Sequence, residues 1–395
     1  VIFTISVVSN NRENTMKKLF NIGLVALLTT TPFFVNAEGL ERFNIDPGFL
    51  FSEGSSASVG YVSVNPSFGA TSGNAALTLQ SGLEVAPDFS ALNLSVKTSI
   101  NEKIDFGVFY TDSGNGVLID WGTISGVGTE ADVTIAADLK MPTLAALGKY
   151  KITDNISVFG GLKRTTVKDG SFAKVARNSN ADPRVDQTAH WVLSETSEMG
   201  MVYGAGYEMP DIALRVSLMI EDDIDLSIAT TRGGGTIPAA TGTSTASIGD
   251  AITLHFQSGI AEDTLLFGNI RRSNWADNQV AVPVDAAFGG GTAILSTFKD
   301  GTSYNLGVGR KINDDLSLSI SAFYDGGSGT AVSELAPTGA TRSLSFGGKY
   351  AIADNADLSG GINYSMRGDA TTGTLGAILN DSSVMTIGAS VAFNF

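Results

Sequence analysis

The amino-acid sequence predicts an all-β protein, a transmembrane antiparallel β-barrel of about 14 strands. Three observations predict it. Apolar and polar residues alternate along segments of about ten residues. These segments are joined in turn by tight hairpins containing Asp and Asn and by long loops rich in Gly, Ser and Thr. An export signal precedes the first of them.

The last segment, Met385–Phe395, shows the alternation most clearly. One face carries Met385, Ile387, Ala389, Val391, Phe393 and Phe395. Alternation alone also fits a one-sided sheet of a soluble protein, but the polar faces here are Ser, Gly, Asn and Lys rather than a mixture of Glu and Lys. Long strands in lipid must close into a barrel, because an open edge leaves backbone groups unpaired. We expect the barrel-assembly machinery to recognise the terminal Phe395.

Fourteen alternating segments can be counted along the chain. They lie at 56–66, 88–99, 104–111, 140–152, 156–167, 198–208, 212–229, 248–259, 264–275, 302–312, 316–325, 341–352, 356–366 and 383–395. Six tight turns join twelve of them in pairs, and Asp and Asn suit these turns because their side chains bond the local backbone. An even number of strands places both chain termini on the periplasmic side. Residues 131–139 form either a further strand or part of a folded outer loop.

The predicted export signal begins at Met16–Lys18, a short basic region. An apolar stretch, Leu19–Leu28, follows it, and Val35–Ala37 then offers the small or apolar residues that signal peptidase reads. The apolar stretch is too short and too interrupted to be a membrane-spanning helix. The expected division is an upstream extension that is not native at 1–15, a signal peptide at 16–37 and the barrel at 56–395.

The composition disfavours several classes of function. A net charge of −15 argues against a nucleic-acid partner, which requires a basic face. The chain has 2 His and no Cys, and the spacing of His190 and His255 does not suggest a metal site. No set of Ser, His and acid can be singled out for nucleophilic catalysis. We therefore expect a protein that is not an enzyme and that uses no cofactor or metal.

Several basic, aromatic and Met side chains are turned towards the lumen by the alternation. The candidate ligand-binding residues among them are Phe159, Lys163, Arg215, Met219, His255, Phe323 and Lys349. Such a mixture suits an amphipathic anion, because a carboxylate needs a donor and an acyl tail needs an apolar wall. The alternative is that each basic residue is the structural partner of an inward carboxylate such as Glu208, Glu221 or Asp325.

Short motifs along the mature chain resemble a proteobacterial branch of the FadL/TodX family of outer-membrane transporters. They are Glu38–Phe43, Phe49–Gly54, Gly60–Pro66, Gly148–Leu162, Gly249–Leu254, Gly259–Gly268 and Trp275. The resemblance implies a 14-stranded barrel whose N-terminal segment, residues 38–55, plugs the lumen. It also implies uptake of long-chain fatty acids or other hydrophobic compounds, with capture by outer loops, binding in the lumen and release through a side opening. The segment 38–55 is shorter than the plug of the best-known members.

The sequence therefore leads to one main hypothesis and two alternatives. The first is passive outer-membrane transport of hydrophobic compounds, above all long-chain fatty acids, by lumen binding and lateral release. The alternatives are a general diffusion porin and a structural or adhesive barrel without a transport role. In each case the protein lies in the bacterial outer membrane and contacts its lipid and lipopolysaccharide.

Overall fold

The computed structural model describes residues 39–73, 77–80, 82–126, 131–179, 187–234, 237–283, 291–327, 329, 331–373 and 375–395. The predicted upstream extension and signal peptide lie outside these residues. Within the described part of the chain, no helix is both long enough and apolar enough to cross a membrane.

The described residues form 25 strands. In chain order they are β1 (Ser56–Ser67), β2 (Ala70–Ser72), β3 (Leu77–Leu79), β4 (Phe89–Asn101), β5 (Ile104–Gly126), β6 (Ala131–Lys151), β7 (Ile156–Val167), β8 (Ser171–Ser179), β9 (Gln187–Leu193), β10 (Thr196–Met209), β11 (Leu214–Glu221), β12 (Ile224–Gly234), β13 (Ile237–Ile248), β14 (Ala251–Ala261), β15 (Thr264–Ser273), β16 (Ala281–Pro283), β17 (Thr292–Ile294), β18 (Gly301–Lys311), β19 (Leu316–Asp325), β20 (Ala331–Val332), β21 (Thr341–Ala353), β22 (Ala356–Arg367), β23 (Ala370–Thr372), β24 (Ala377–Leu379) and β25 (Ser383–Asn394). Short 3-10 helices lie at Pro47–Phe51 and Pro210–Ile212.

Fourteen of these strands close into an antiparallel barrel, as the sequence predicts. The wall runs in the order β1, β4, β5, β6, β7, β10, β11, β14, β15, β18, β19, β21, β22 and β25. The last strand closes on the first, with Ser56 opposite Asn394 and Ser67 opposite Ser383. Ser55 and Phe395 exchange backbone hydrogen bonds of 3.2 and 2.9 Å beyond this pair. The predicted final strand is confirmed, and it is the strand that closes the barrel.

One end of the barrel carries six tight turns and both ends of the wall, and the other end carries the long connections. Asn side chains stabilise these turns as expected: Asn101 Oδ1 accepts from the backbone N–H groups of Lys103 and Ile104 at 2.9 and 3.0 Å. Short turns face the periplasm in outer-membrane barrels, which orients the molecule. The end with the six tight turns is therefore the periplasmic end, and the end with the long connections is the extracellular end.

The predicted strand 212–229 is wrong, because it is two strands. β11 ends at Glu221 and pairs in the wall with β14, whereas β12 begins at Ile224 and pairs with β13 and β9 outside the wall. In β12 the apolar residues Leu226 and Ile228 continue the alternation of β11, but they pack under the extracellular connections rather than against lipid.

Extracellular extensions of the strands cover the open end of the barrel. Residues 131–139 belong to β6, which continues beyond the wall and pairs with β5 and β8. β9, β12, β13, β16 and β17 extend this outer sheet further. A separate small sheet forms in the order β2, β24, β23, β20. The long connections therefore form a folded layer.

The outer face of the wall is apolar along its length. Large apolar side chains such as Leu94, Met201, Ile320 and Leu344 are exposed there. Soluble proteins rarely expose a continuous apolar surface of this extent, so the face is suited to lipid. The structure is a transmembrane barrel of the outer-membrane type.

Two apolar clusters fill the inside of the molecule. The extracellular cluster includes Leu40, Trp121, Leu139, Met141, Ile224, Leu226, Trp275, Phe298, Leu335 and Leu379. The periplasmic cluster consists of Ile45, Phe49, Leu50, Phe51, Ala145, Leu147, Phe159, Val202 and Met219. Residues of the N-terminal segment occur in both, so this segment links them.

Candidate functional site

The N-terminal segment, residues 39–55, lies inside the barrel. Asp46 caps the 3-10 helix of this segment by accepting the Gly48 N–H at 2.7 Å. Pro47 suits the first position of this helix because its ring fixes the backbone angle φ. The helix points three consecutive apolar residues, Phe49–Phe51, into the periplasmic cluster. The segment therefore occupies lumen space beside the candidate ligand-binding residues.

Phe51 is the centre of the contacts that hold this segment. Its ring meets Phe159 edge to face, with centroids 5.9 Å apart. Lys149 Nζ lies 4.7 Å and Arg215 Cζ 5.0 Å from the centroid of the same ring, within cation–π range. The close approach requires a glycine at Gly206, where a Cβ atom would lie 2.6 Å from the ring.

Arg215, His255 and Gln257 form a group of buried polar side chains beside the periplasmic cluster. Gln257 is opposite Arg215, and His255 is opposite Ser217. Among the described residues, Arg215 Nη1, His255 Nε2 and Gln257 Oε1 have no hydrogen-bond partner. Buried polar atoms are nearly always paired, so this group can bind an anionic or hydrogen-bonding atom of a ligand.

A network of four charged side chains lies between the two apolar clusters. Lys163 Nζ donates to Glu221 Oε1 at 2.7 Å, and Arg271 Nη1 donates to Glu221 Oε2 at 2.5 Å. Arg271 also holds Glu41 of the N-terminal segment through two bonds, Nη2 to Oε1 at 2.5 Å and Nε to Oε2 at 3.2 Å. Two acids and two bases make the network neutral. It connects the N-terminal segment to β7, β11 and β15.

A second charged group anchors the other end of the segment. Lys97 and Lys149 both pair with Asp105 at 3.0 Å. Lys97 Nζ also donates to the backbone carbonyls of Ser52 and Gly54 at 2.5 and 2.7 Å. This end of the segment is thus fixed to the periplasmic end of the wall.

The third wall strand, β5, is irregular at mid-height. Its pairing with β4 begins at Ile104 and ends at Thr111, opposite Asn93. Its register with β6 shifts between Thr111 and Asn115. Extra residues in one strand bend it and interrupt its ladder, which weakens the closure of the wall at this position.

The beginning of the N-terminal segment covers this irregularity from inside. Gly116 N–H donates to Leu40 O at 2.7 Å, and the N–H groups of Arg42 and Phe43 donate to Gly114 O at 3.0 and 3.1 Å. The Arg42 guanidinium lies 4.5 Å from the centroid of the Phe89 ring on β4. Burial lowers the pKa of Arg42 to about 10, and the charge of Asp138 opposes that shift.

The structure brings together five of the seven candidate residues. Phe159, Lys163, Arg215, Met219 and His255 lie on β7, β11 and β14, close to the N-terminal segment. Lys163 carries a carboxylate partner, as the alternative interpretation of the basic residues foresees. The ligand role of all seven residues stays a prediction.

Phe323 and Lys349 lie in another sector of the wall, on β19 and β21. Phe323 is buried, and Lys349 Nζ lies 3.7 Å from Asp357 Oδ2. Neither side chain belongs to the periplasmic cluster, which contains the candidates Phe159 and Met219. Any contact that Phe323 or Lys349 makes with a ligand therefore lies on a different part of the ligand's path.

Sequence reasoning missed Arg271 and Glu41. The alternation of the predicted strand 264–275 turns Phe267 and Arg271 to the same face, so parity could have placed Arg271 in the lumen. No comparable signal exists for Glu41, because the N-terminal segment has no repeating pattern.

Comparison with known proteins identifies the fold. A FadL homologue from Pseudomonas aeruginosa has 14% identity, with a TM-score of 0.70 over 95% of this chain and 98% of that chain. The toluene transporter TodX of Pseudomonas putida has 15% identity, with a TM-score of 0.65 over 91% and 95%. The toluene transporter TbuX of Ralstonia pickettii has 13% identity, with a TM-score of 0.62 over 92% and 100%. No protein-family model matches the sequence, and the search of curated proteins finds no match.

Proposed function

We propose that this bacterial outer-membrane barrel, which has the FadL-type fold, carries hydrophobic compounds passively across the membrane and takes long-chain fatty acids as cargo. The observation that carries the proposal is the arrangement of the lumen. Buried basic side chains lie between and beside two apolar clusters, and Arg215 Nη1 and His255 Nε2 have no hydrogen-bond partner among the described residues. An acyl tail suits the clusters, and a carboxylate suits the donors.

The geometry disfavours a general diffusion porin. A porin needs a wide, water-filled channel. Inward side chains of this wall such as Thr253, Asn305, Asn363 and Thr386 are instead at most 5% exposed. The N-terminal segment fills the space next to β7, β10 and β11.

The proposed path runs from the extracellular layer to the side of the barrel. Cargo enters through the folded connections, passes the extracellular cluster, binds at Arg215 and His255 beside the periplasmic cluster and leaves where β5 is irregular. Lateral exit suits a hydrophobic compound, because it passes directly into lipid without crossing the periplasmic end, which the segment around Phe49–Phe51 blocks. The path requires no chemical reaction, no cofactor and no metal.

Binding of labelled oleate to the purified protein tests the proposal. We expect saturable binding that weakens about tenfold in the Arg215→Ala variant, because the head group loses a charged hydrogen bond. Arg342→Ala is the matched control, since Arg342 is exposed on the outer face and should leave binding unchanged. Absence of saturable binding refutes fatty acid as cargo, and unchanged binding in Arg215→Ala refutes the head-group assignment.

A further inference from the structure

A row of outward side chains crosses the outer face of the barrel near its extracellular end. Ile270 of β15 lies opposite Tyr304 of β18, and Tyr304 lies opposite Tyr324 of β19. Arg342 of β21 follows beside Tyr324, and Met366 of β22 completes the row. All five side chains are exposed. The row therefore places one arginine among aromatic and apolar side chains.

This row marks the upper limit of the apolar surface in its sector of the wall. Towards the periplasmic end, the outward positions of the same strands carry large apolar side chains, among them Leu306, Ile320, Leu344 and Phe346. Towards the extracellular end the outward positions are small, namely Thr302, Gly326, Ala340 and Gly368. Tyrosine prefers the boundary between lipid and water, because its ring is apolar and its hydroxyl is polar. We therefore expect the head groups of the outer leaflet at the level of Tyr304, Tyr324 and Arg342.

Arg342 carries a charge that the surrounding surface does not neutralise. Its cross-strand neighbours, Tyr324 and Met366, are uncharged, and the next outward residue on its own strand is Leu344. A cation that faces lipid without a counter-ion is unfavourable. In the head-group region the available anions are lipid phosphates, and the guanidinium fork binds a phosphate through two N–H groups. The surroundings of Arg342 therefore favour a phosphorylated lipid.

A second outward arginine, Arg272, lies in the same sector. It lies on β15 opposite Thr302, three strands from Arg342 and two residues nearer the extracellular end. With about 4.8 Å between strands and about 3.4 Å per residue along them, the two arginine Cα atoms are about 16 Å apart. Arg272 Nη2 lies 3.7 Å from Asp300 Oδ2, and the Arg272 side chain is 60% exposed. The two arginines and Asp300 together carry one net positive charge, which an anion complements.

We propose that Arg342 and Arg272, with Tyr304 and Tyr324 between them, form a binding site for lipid A, the phosphorylated glycolipid of lipopolysaccharide. The site lies at the extracellular end of the wall, which faces the leaflet that holds lipopolysaccharide. Lipid A carries a phosphate at each end of a disaccharide, so it can meet two separated cations. Its several acyl chains cover the apolar surface below the row. A glycerophospholipid has a single phosphate group and two chains, and it meets only one of these cations.

This outer site and the lumen retain different ligands. A single exposed ion pair contributes little to binding, so one carboxylate on one chain is not retained at Arg342. Two ion pairs made by one molecule act together, because the second forms at a high effective concentration. Oleate binding therefore reports on the lumen, and lipid A binding reports on the outer face.

Titration of the purified, delipidated protein in detergent with lipid A that carries both phosphates tests the proposal, with bound lipid counted by native mass spectrometry. We expect one saturable lipid A per chain, and an affinity about tenfold lower when Arg272→Ala and Arg342→Ala are combined. Arg310→Ala is the matched control and should leave the affinity unchanged, because Arg310 is exposed on the same outer face at the periplasmic end of β18.

The lumen provides a reciprocal check. The double variant should retain oleate binding, which shows that its barrel is folded, and Arg215→Ala should retain lipid A binding. Lipid A from which both phosphates have been removed should bind the unmodified protein about tenfold more weakly, since it keeps the acyl chains but loses both ion pairs.

Several results would overturn the proposal. Absence of saturable lipid A binding to the unmodified protein is one, and equal affinity in the double variant and in Arg310→Ala is another. Equally tight binding of lipid A without phosphates would show that the acyl chains alone are recognised. Equal competition by phosphatidylglycerol would show that any phosphate lipid fits the site. The proposed function is judged by oleate alone, so it stands or fails separately.

Discussion

Breaking the buried pair between Glu221 and Lys163 is the most informative perturbation of the lumen. The substitutions are Glu221→Gln, Lys163→Met and the two together. Glu221→Gln leaves the network with one excess positive charge, and Lys163→Met leaves it with one excess negative charge. The double variant keeps Glu41 with Arg271 and is neutral again.

The magnitude follows from burial. The side chains of Lys163 and Glu221 are 5% and 2% exposed and their charged atoms are 2.7 Å apart. Removal of one partner from a buried pair costs about 3–5 kcal/mol, whereas an exposed pair contributes about 0–1 kcal/mol. We therefore expect each single variant to lose about 3–5 kcal/mol of unfolding free energy. The double variant should lose less than the sum, by about 2 kcal/mol or more, because neutrality is restored.

Urea unfolding of the refolded barrel, followed by tryptophan fluorescence, measures these values. Glu198→Gln is the matched control, because Glu198 is an exposed acid on the neighbouring strand β10 and should change the unfolding free energy by less than about 0.5 kcal/mol. Strictly additive losses in the double variant would show that the two charges do not interact. Single losses below about 1 kcal/mol would show that the lumen is as well solvated as a surface.

Two further predictions concern Phe51. Gly206→Ala should destabilise the barrel by about 1–3 kcal/mol, because the new methyl group meets the Phe51 ring. Gly148→Ala is the control and should not destabilise it, because the nearest neighbour of its methyl group would be 3.9 Å away. Equal unfolding curves for the two variants would contradict the packing around Phe51. Phe51→Ala should raise ion conductance in planar bilayers, because it removes the ring that packs between Phe159, Lys149 and Arg215. A conductance equal to that of the unmodified protein would show that this ring does not help to close the lumen.

Local regularities made most of the fold predictable. A membrane-crossing strand must alternate, because one face meets lipid and the other the lumen, and tight turns need residues that tolerate their geometry. The closing strand, Met385–Phe395, and the turn at Asn101 follow from these rules alone. The same rules failed at Glu221, where the alternation continues across a break because Leu226 and Ile228 are covered by extracellular connections instead of lipid.

By itself, then, the sequence determined the barrel, its strand number, its orientation and the inward direction of Lys163, Arg215 and His255. These depend on periodicity and turn chemistry, which neighbouring residues share. Only the tertiary structure decided that Glu41 meets Arg271, which is 230 positions away, and that Phe51 fills the space beside Phe159. Such partners depend on how an irregular segment folds back into a closed wall, and no local pattern encodes that path.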